Sequence, residues 1–217
     1  MPFDFGFALS ILPILLKGAV VTVIATFGGF AGALVGGAVV AAANRSRLLV
    51  LRLFARVFVY VVRNTPLLVQ LYFVFYVLPG FGITIDALAA GILGLSIHYS
   101  AFTAEIYRAG IGAVPRGQFE AADALGLNLW HKWVLVVAPQ AIRPVLPVLG
   151  NYLIGMFKET PILAAITIIE LFGAAQDIAG KTYRYNEPYT LVAVIFLLIS
   201  IPCSLVVRRL DTTRGRA

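Results

Sequence analysis

Residues 18–43 contain no charged side chain, and the run is longer than the roughly 20 apolar residues that an α-helix needs to cross a bilayer. Residues 188–207 form a second uncharged run, and residues 87–104 form a third. The charged fraction of the whole chain is 12% and its mean hydropathy is +0.93, whereas soluble domains carry about 25% charged residues. The sequence therefore predicts an all-α integral membrane protein.

Two further regions are predicted to span the membrane although they contain charged residues. Arg45, Arg52, Arg56 and Arg63 recur at spacings of seven, four and seven, which places them on one face of a helix. That helix is expected to enter the membrane obliquely from a basic surface, with Arg63 reaching back to it. The other region, which includes the span predicted at residues 138–157, is interrupted by prolines, glycines and a few charged residues. We expect one domain with five spans, at approximately residues 16–43, 55–78, 86–109, 138–157 and 188–208.

The basic residues cluster at the ends of the predicted spans, so the net charge of +7 does not indicate nucleic acid binding. The basic residues of the loops after the first and third predicted spans and of the C-terminal tail are Arg45, Arg47, Arg52, Arg56, Arg108, Arg116, Lys132, Arg208, Arg209, Arg214 and Arg216. Because cytoplasmic loops carry an excess of Lys and Arg, this side is predicted to be cytoplasmic. The N-terminus is then external and the C-terminus cytoplasmic.

Motifs for catalysis and nucleotide binding are missing from the sequence. The nearest match to a phosphate-binding loop, GAVPRGQF at residues 112–119, has Gln118 and Phe119 where Lys and Ser or Thr must contact phosphate and magnesium. There is no HExxH or GxSxG motif, and Cys203 is the only cysteine. We predict that the chain is not an enzyme, binds no metal or cofactor, and has no nucleotide site of its own.

Polar side chains inside the predicted spans are candidates for a substrate pathway, because such residues are costly in lipid. The candidates are Gln70, His98, Tyr99, Ser100, Glu105, Glu159 and Thr160. Structural alternatives remain open: His98 could hydrogen-bond a neighbouring helix, and Glu105 could pair with Arg108 on the same helical face. Glu159 and Thr160 follow a span broken by proline and glycine, which is typical of transporter sites but equally of an interfacial loop.

The first predicted span contains a repeat of small residues. Gly28, Gly32 and Gly36 recur every four residues and so lie on one face of the helix. Such a stripe lets a neighbouring helix approach closely. We expect it to form a helix-helix contact rather than a ligand site.

The segment between spans 3 and 4, residues 113–133, has the composition of a soluble protein. Pro115 is placed to begin a helix and Gly126 to end one, so residues 117–125 are expected to be helical. Asn128 is a candidate N-cap for a second short helix. A helix-turn-helix element at the membrane surface favours a docking site for a partner protein over a passive loop.

This segment resembles the EAA loop of permease subunits of ATP-binding-cassette importers. Glu120-Ala121-Ala122, Gly126 and Pro139 stand at the spacing of that motif, while Val136 and Ala138 replace its usual Ile and Leu. Residues 63–79, 100–127 and 139–162 are similar to the polar amino acid uptake branch of the family. Two positions depart from that branch, namely Asn64, where Gly is usual, and Pro161, where Ser is common.

The resemblance implies a type I importer transmembrane domain in the bacterial cytoplasmic membrane, with a cytoplasmic coupling helix between spans 3 and 4. It implies three partners: a second permease subunit, identical or homologous, an ATPase subunit that binds ATP and magnesium, and an external solute-binding protein. The implied ATPase-coupling residues are Arg116, Glu120, Ala121, Ala122, Asp123 and Gly126. No cofactor is implied in this chain.

The substrate is less narrowly defined by the sequence. The resemblance favours a polar amino acid, and the segment at residues 159–192 also resembles ectoine and hydroxyectoine permeases. An intramembrane enzyme is a remote alternative, because it would need a nucleophile and base in facing spans.

Overall fold

The computed structural model describes residues 3–212, with side chains described through Arg209. Arg214 and Arg216, used above for the orientation, lie outside the described residues. Within that range the chain is helical and contains no β-strand. The α-helices are α1 (Phe5–Asn44), α2 (Leu49–Asn64), α3 (Leu67–Tyr72), α4 (Ala87–Gly112), α5 (Arg116–Ala124), α6 (Leu129–His131), α7 (Ala138–Glu159), α8 (Leu171–Thr182) and α9 (Asn186–Thr212).

Four stretches of the described chain are long and apolar enough to cross a membrane singly: Phe5–Asn44, Ala87–Gly112, Leu129–Ile166 and Asn186–Arg209. A fifth span is formed when α2 and the helix Leu67–Phe81, bent by 108° relative to each other, are counted together. The predicted all-α, five-span fold class is therefore confirmed. The first helix has 40 residues, which is about 60 Å of helix and so extends well beyond the hydrocarbon core.

The bend divides the range predicted as the second span, residues 55–78. Thr65 has an extended backbone, because the ring of Pro66 disfavours helical geometry in the residue before it. Three side chains donate hydrogen bonds to carbonyl groups next to the break: Asn64 Nδ2 to Tyr60 O, Thr65 Oγ1 to Val61 O, and Gln70 Nε2 to both Val62 O and Thr65 O. Those bonds make a broken helix tolerable in lipid.

Two helices of the described chain contain a widened π turn, and each turn lies just before a proline. Residues Phe73–Val77 precede Pro79, and residues Lys132–Val137 precede Pro139. A proline has no N–H and its ring clashes with the carbonyl four residues earlier. In both helices that carbonyl belongs to the π turn, which holds one extra residue and relieves the clash.

Helices α1 and α4 pack closely along the predicted glycine stripe and the glycines beside it. A Cβ on Gly29 would lie 2.8 Å from Leu95 Cβ, and one on Gly37 would lie 3.0 Å from Ala104 N. Thr103 Oγ1 donates a hydrogen bond to Ala33 O at 2.8 Å, across the two helices. Glycine at these positions therefore permits backbone approach and interhelical hydrogen bonding.

A buried carboxyl group fixes α8 against α1. Glu170 is fully buried and caps α8 by accepting hydrogen bonds from Phe172 N and Gly173 N. Its other partner is Thr22 Oγ1 on α1, which donates at 3.2 Å. Burial raises the pKa of the Glu170 carboxyl above its ordinary value, and the hydrogen bonds oppose that shift.

Candidate functional site

The predicted docking segment is a short helix with one side against the bundle. Helix α5 starts after Pro115, as expected, and runs over Arg116–Ala124. Ala122 is 1% exposed, whereas Glu120 and Ala121 are exposed. Phe119 packs on a small core cluster made by Val114, Val137 and Ala141. The helix thus rests mainly on the π turn Lys132–Val137 through apolar contacts and presents its other face outward.

The turn after α5 has the geometry that its glycine predicts. Gly126 has a φ of +68°, and Leu127 N donates to Ala122 O at 3.1 Å. A left-handed residue at this position is the usual end of an α-helix, and glycine adopts it without strain. Asn128 then caps the next helix, because its Oδ1 accepts from His131 N at 2.9 Å. The predicted role of Asn128 as an N-cap is confirmed.

An ion pair joins the two arms of this helix-turn-helix element. Lys132 Nζ lies 2.6 Å from Asp123 Oδ1, and Lys132 also approaches the ring of Phe119. Since Lys132 begins the π turn that leads into α7, the pair connects α5 directly to a membrane-crossing helix. Asp123 and Lys132 therefore act within the element itself.

Sequence reasoning did not single out an exposed apolar patch around the turn. Leu125, Leu129 and Trp130 are each at least 71% exposed, on an element that is otherwise polar. Large, exposed apolar side chains beside a polar helix face are typical of a protein interface. The signal was present in the sequence as a leucine and tryptophan cluster flanking Gly126.

Inside the membrane region the structure brings three of the predicted pathway residues together. Tyr99 OH donates a hydrogen bond of 2.7 Å to Glu159 Oε2, and the His98 ring contacts the Tyr99 ring at a centroid distance of 5.5 Å. His98 Nδ1 is buried and has no hydrogen-bond partner among the described residues. The structural alternative for His98, a hydrogen bond to a neighbouring helix, is therefore not seen at the Nδ1 atom.

Aromatic side chains extend this cluster toward a cavity. Phe102 contacts both His98 and Tyr152, at centroid distances of 5.2 and 5.7 Å. The Arg63 guanidinium lies 5.2 Å from the centre of the Phe102 ring. Sequence reasoning named neither Phe102 nor Tyr152, although Tyr152 precedes Glu159 by seven residues and so shares its helical face.

A cavity of about 430 Å³ adjoins the aromatic cluster and is bordered by α4 and α7. Arg63, Glu105, Arg108 and Tyr152 are among its lining residues. Glu105 and Arg108 form an ion pair at 2.6 Å, as the structural alternative for Glu105 stated. The same carboxylate nevertheless faces the cavity, together with Arg63.

The remaining pathway candidates lie elsewhere in the structure. Gln70 holds the bend between α2 and α3. Ser100 is buried against α1, since a Cβ on Gly36 would lie 3.0 Å from the Ser100 Cβ. The Ser100 Oγ donates a hydrogen bond to Ile97 O on its own helix. Thr160 is also buried, and its Oγ1 donates to Phe157 O. Their hydrogen bonds all go to backbone carbonyl groups within eight residues along the chain.

The acidic residues at the opposite end of the bundle have partners. Asp4 pairs with Arg184 at 3.0 Å, and Asp177 pairs with Lys181 at 2.7 Å. Glu187 is buried and accepts a hydrogen bond from Asp4 N. The acidic charges at this end are therefore largely compensated within the chain.

The five-span helical bundle and its helix-turn-helix segment define a permease subunit of an importer. A family model described as "Binding-protein-dependent transport system inner membrane component" matches residues 33–215, and the chain belongs to that family. The chain is thus a multi-pass transport subunit of the inner membrane, as the resemblance implied.

Individual relatives match almost the whole chain. It is 43% identical over 208 residues to "Probable amino-acid ABC transporter permease protein y4tG" of Sinorhizobium fredii, covering 96% of this chain and 90% of that protein. It is 34% identical to "Glutamine transport system permease protein GlnP" of Escherichia coli, covering 97% of each. A solved structure described as an amino acid ABC transporter with histidines superposes with a TM-score of 0.90 at 37% identity, covering 98% of this chain and 100% of that one.

Proposed function

We propose that this subunit forms half of a pathway through which a polar amino acid enters a bacterial cell, driven by ATP hydrolysis on a separate subunit. The observation that carries the proposal is the coupling segment, residues 113–133, with a buried Ala122 and an exposed apolar turn. The names of the relatives support an amino acid as the substrate class. Nothing in the comparisons favours ectoine, hydroxyectoine or an intramembrane enzyme.

The coupling segment would dock on the ATPase and move with it. Glu120, Arg116 and the patch at Leu125, Leu129 and Trp130 are exposed and available to a groove on that partner, and Ala121 permits close approach. ATP and magnesium would bind the ATPase, and closure of its dimer would move α5. Because Lys132 pairs with Asp123 at the start of the helix leading into α7, movement of α5 would be passed to a spanning helix, as in rigid-body alternating access.

The Tyr99–Glu159 pair supports a substrate contact near the break after α7. Tyr99 occupies one carboxylate oxygen of Glu159, so the other oxygen is available for the ammonium group of an amino acid. His98 lies beside this pair, and Glu105 faces the neighbouring cavity. Gln70, Ser100 and Thr160 would contribute to the pathway by holding the helices that border it.

The proposed orientation places the coupling segment and the C-terminus in the cytoplasm and the N-terminus outside. The arginines of the α1–α2 connection and of the end of α9 support it through the positive-inside rule. A solute-binding protein would then deliver substrate at the end of the bundle where Asp4, Arg184 and Glu187 lie. A second permease, identical or homologous, would complete the pathway.

The coupling role is tested with Gly126→Asp and Glu120→Lys in the reconstituted transporter with its ATPase and binding protein. We expect binding-protein-stimulated ATP hydrolysis and amino acid uptake to fall to the unstimulated level. Gly117→Ala is the matched control, because Gly117 lies on the same helix and a Cβ there meets no atom within 4 Å. Unchanged stimulation in both test variants would show that the assignment is wrong.

The substrate class is tested separately by uptake of labelled glutamine, histidine, arginine and ectoine into the same vesicles. We expect at least one of the amino acids to be taken up, and Glu159→Gln to raise its KM more than Glu105→Gln does. Uptake of ectoine alone would contradict the amino acid assignment while leaving the coupling assignment intact.

A further inference from the structure

An apolar cleft opens between α1, α4 and α7 at the end of the bundle that carries the coupling segment. Its volume is about 670 Å³. Small side chains of α1, namely Ala38, Ala41 and Ala42, form one wall, and Ile142 and Leu146 of α7 form part of the other. Because three alanines face bulkier side chains, α1 and α7 leave a groove between them here.

A single basic residue closes the groove where α1 ends. Arg45 is the only charged residue among the described residues that line it, and its guanidinium lies 5.4 Å from the centre of the Trp133 ring. Among the side chains that the structure describes, which end at Arg209, no carboxylate lies within ion-pair distance of this guanidinium. The groove therefore joins an apolar slot to a positive charge beside a tryptophan.

We propose that this groove binds an anionic glycerophospholipid of the surrounding bilayer. One acyl chain lies along Ala38, Ala41 and Ala42, and the headgroup phosphate contacts Arg45. Basic pockets between spanning helices bind the headgroups of anionic lipids, and tryptophan rings favour the depth at which headgroups meet the hydrocarbon. The bilayer supplies this ligand at the site, and the charge of Arg45 selects a phosphate that carries no compensating amine.

The position of the groove connects the bound lipid to the coupling segment. Trp133 directly follows Lys132, which pairs with Asp123 on α5, and it packs on the cluster of Val114, Val137 and Ala141 that supports α5. A phosphate on Arg45 and a chain under Trp133 hold the base of the coupling segment in place. The lipid therefore affects ATPase coupling as well as stability.

The test uses the complete transporter, with its ATPase, in vesicles of phosphatidylethanolamine that contain or lack phosphatidylglycerol. The complex is then extracted in neutral detergent, and retained lipid is identified by native mass spectrometry. Arg45→Gln removes the charge and Ala42→Leu fills the groove. Arg47→Gln and Val39→Leu are the matched controls, because neither residue lines the groove and Val39 is 63% exposed.

We expect Arg45→Gln to reduce retained phosphatidylglycerol about fivefold, the effect of one basic residue at a membrane surface. Ala42→Leu should reduce it at least as much, and both controls should retain the parental amount. In the parent, phosphatidylglycerol should raise binding-protein-stimulated ATP hydrolysis, and Arg45→Gln should remove that increase.

Three outcomes would overturn the proposal. Equal retention in the parent, Arg45→Gln and Ala42→Leu would show that the groove holds no specific lipid. Equal loss in Arg45→Gln and Arg47→Gln would indicate general surface charge. Loss of the permease dimer in Ala42→Leu, with lipid retention unchanged in Arg45→Gln, would assign the groove to a permease-permease contact instead.

Discussion

The α1–α4 interface and the coupling segment are held together in opposite ways. At the interface, backbones approach so closely that Gly29 and Gly37 have no room for a Cβ, and Thr103 donates a hydrogen bond to the backbone of α1. The coupling segment has one fully buried residue in α5, Ala122, one ion pair to the next helix, and a turn with open space around it.

That difference separates a scaffold from a part that moves relative to it. A protein region opens easily where few apolar contacts are buried and hydrogen bonds face solvent. The coupling segment meets that description, and the α1–α4 pair does not. Substitutions at the interface should therefore lower stability, and substitutions in the coupling segment should lower activity first.

The largest effect on stability is expected for Gly37→Ala. The new Cβ would lie 2.8 Å from Thr103 Cβ and 3.0 Å from Ala104 N, so the helices must separate and the Thr103 hydrogen bond is weakened. Overpacking of this kind costs about 1–3 kcal/mol, which thermal unfolding of the purified complex can measure. Gly180→Ala is the control, since nothing lies within 4 Å of its Cβ, and an equal loss there would contradict the packing argument.

Gly126→Ala probes the turn of the coupling segment without adding a clash. Its φ of +68° costs an alanine about 1–2 kcal/mol, a strain confined to the turn. We expect transport-coupled ATP hydrolysis to fall while the unfolding temperature of the bundle changes little. A drop in unfolding temperature as large as that of Gly37→Ala would show that the segment belongs to the scaffold.

Glu170 gives the scaffold a stability that depends on pH. Because burial raises its pKa above the ordinary 4.5, the folded state binds the proton more tightly than the unfolded state. The stabilisation is complete below pH 4.5 and is lost as pH rises through the raised pKa, by at most about 1.4 kcal/mol per pH unit. The free energy of unfolding of the Glu170→Gln variant, measured over the same pH range, should not decline in this way. An identical pH dependence in the variant would exclude Glu170 as its cause.

The smallest effect is expected for the ion pair of the coupling segment. Asp123 is 64% exposed, which screens the pair, although the Lys132 side chain is only 16% exposed, so Lys132→Gln should cost about 1 kcal/mol of stability. The pair nevertheless joins α5 to the helix that leads into α7, so the ratio of uptake to ATP hydrolysed should fall. A Lys181→Gln change removes a more exposed ion pair on α8 and should leave that ratio unchanged.

The sequence predicted those parts of the structure that depend on local chemistry. Uncharged runs located most spans, Pro115 and Gly126 bounded α5, and Asn128 capped α6, because each effect acts within a few residues. The spacing of Gly28, Gly32 and Gly36 indicated a close helix contact but not its partner. The identity of that partner, α4, depends on how the whole bundle packs.

The candidate site was less accessible to sequence reasoning. Tyr99 and Glu159 are 60 positions apart, and nothing in either segment indicates that their side chains meet. Gln70 had the signature of a functional polar residue, yet its amide binds carbonyl groups next to the break at Pro66. A break in a helix and a ligand both need hydrogen bonds, so the residue type alone does not distinguish them.

The two π turns give the importer a means of changing the direction that a helix faces. If the extra residue at Phe73–Val77 or Lys132–Val137 were absorbed into α-helical geometry, the chain beyond it would rotate by about 100° and advance by about 1.5 Å. Every side chain on that helix would then be presented to a different neighbour. The turn at Lys132–Val137 lies between the coupling segment and α7, so a movement of α5 that removed this turn would rotate a helix in the membrane.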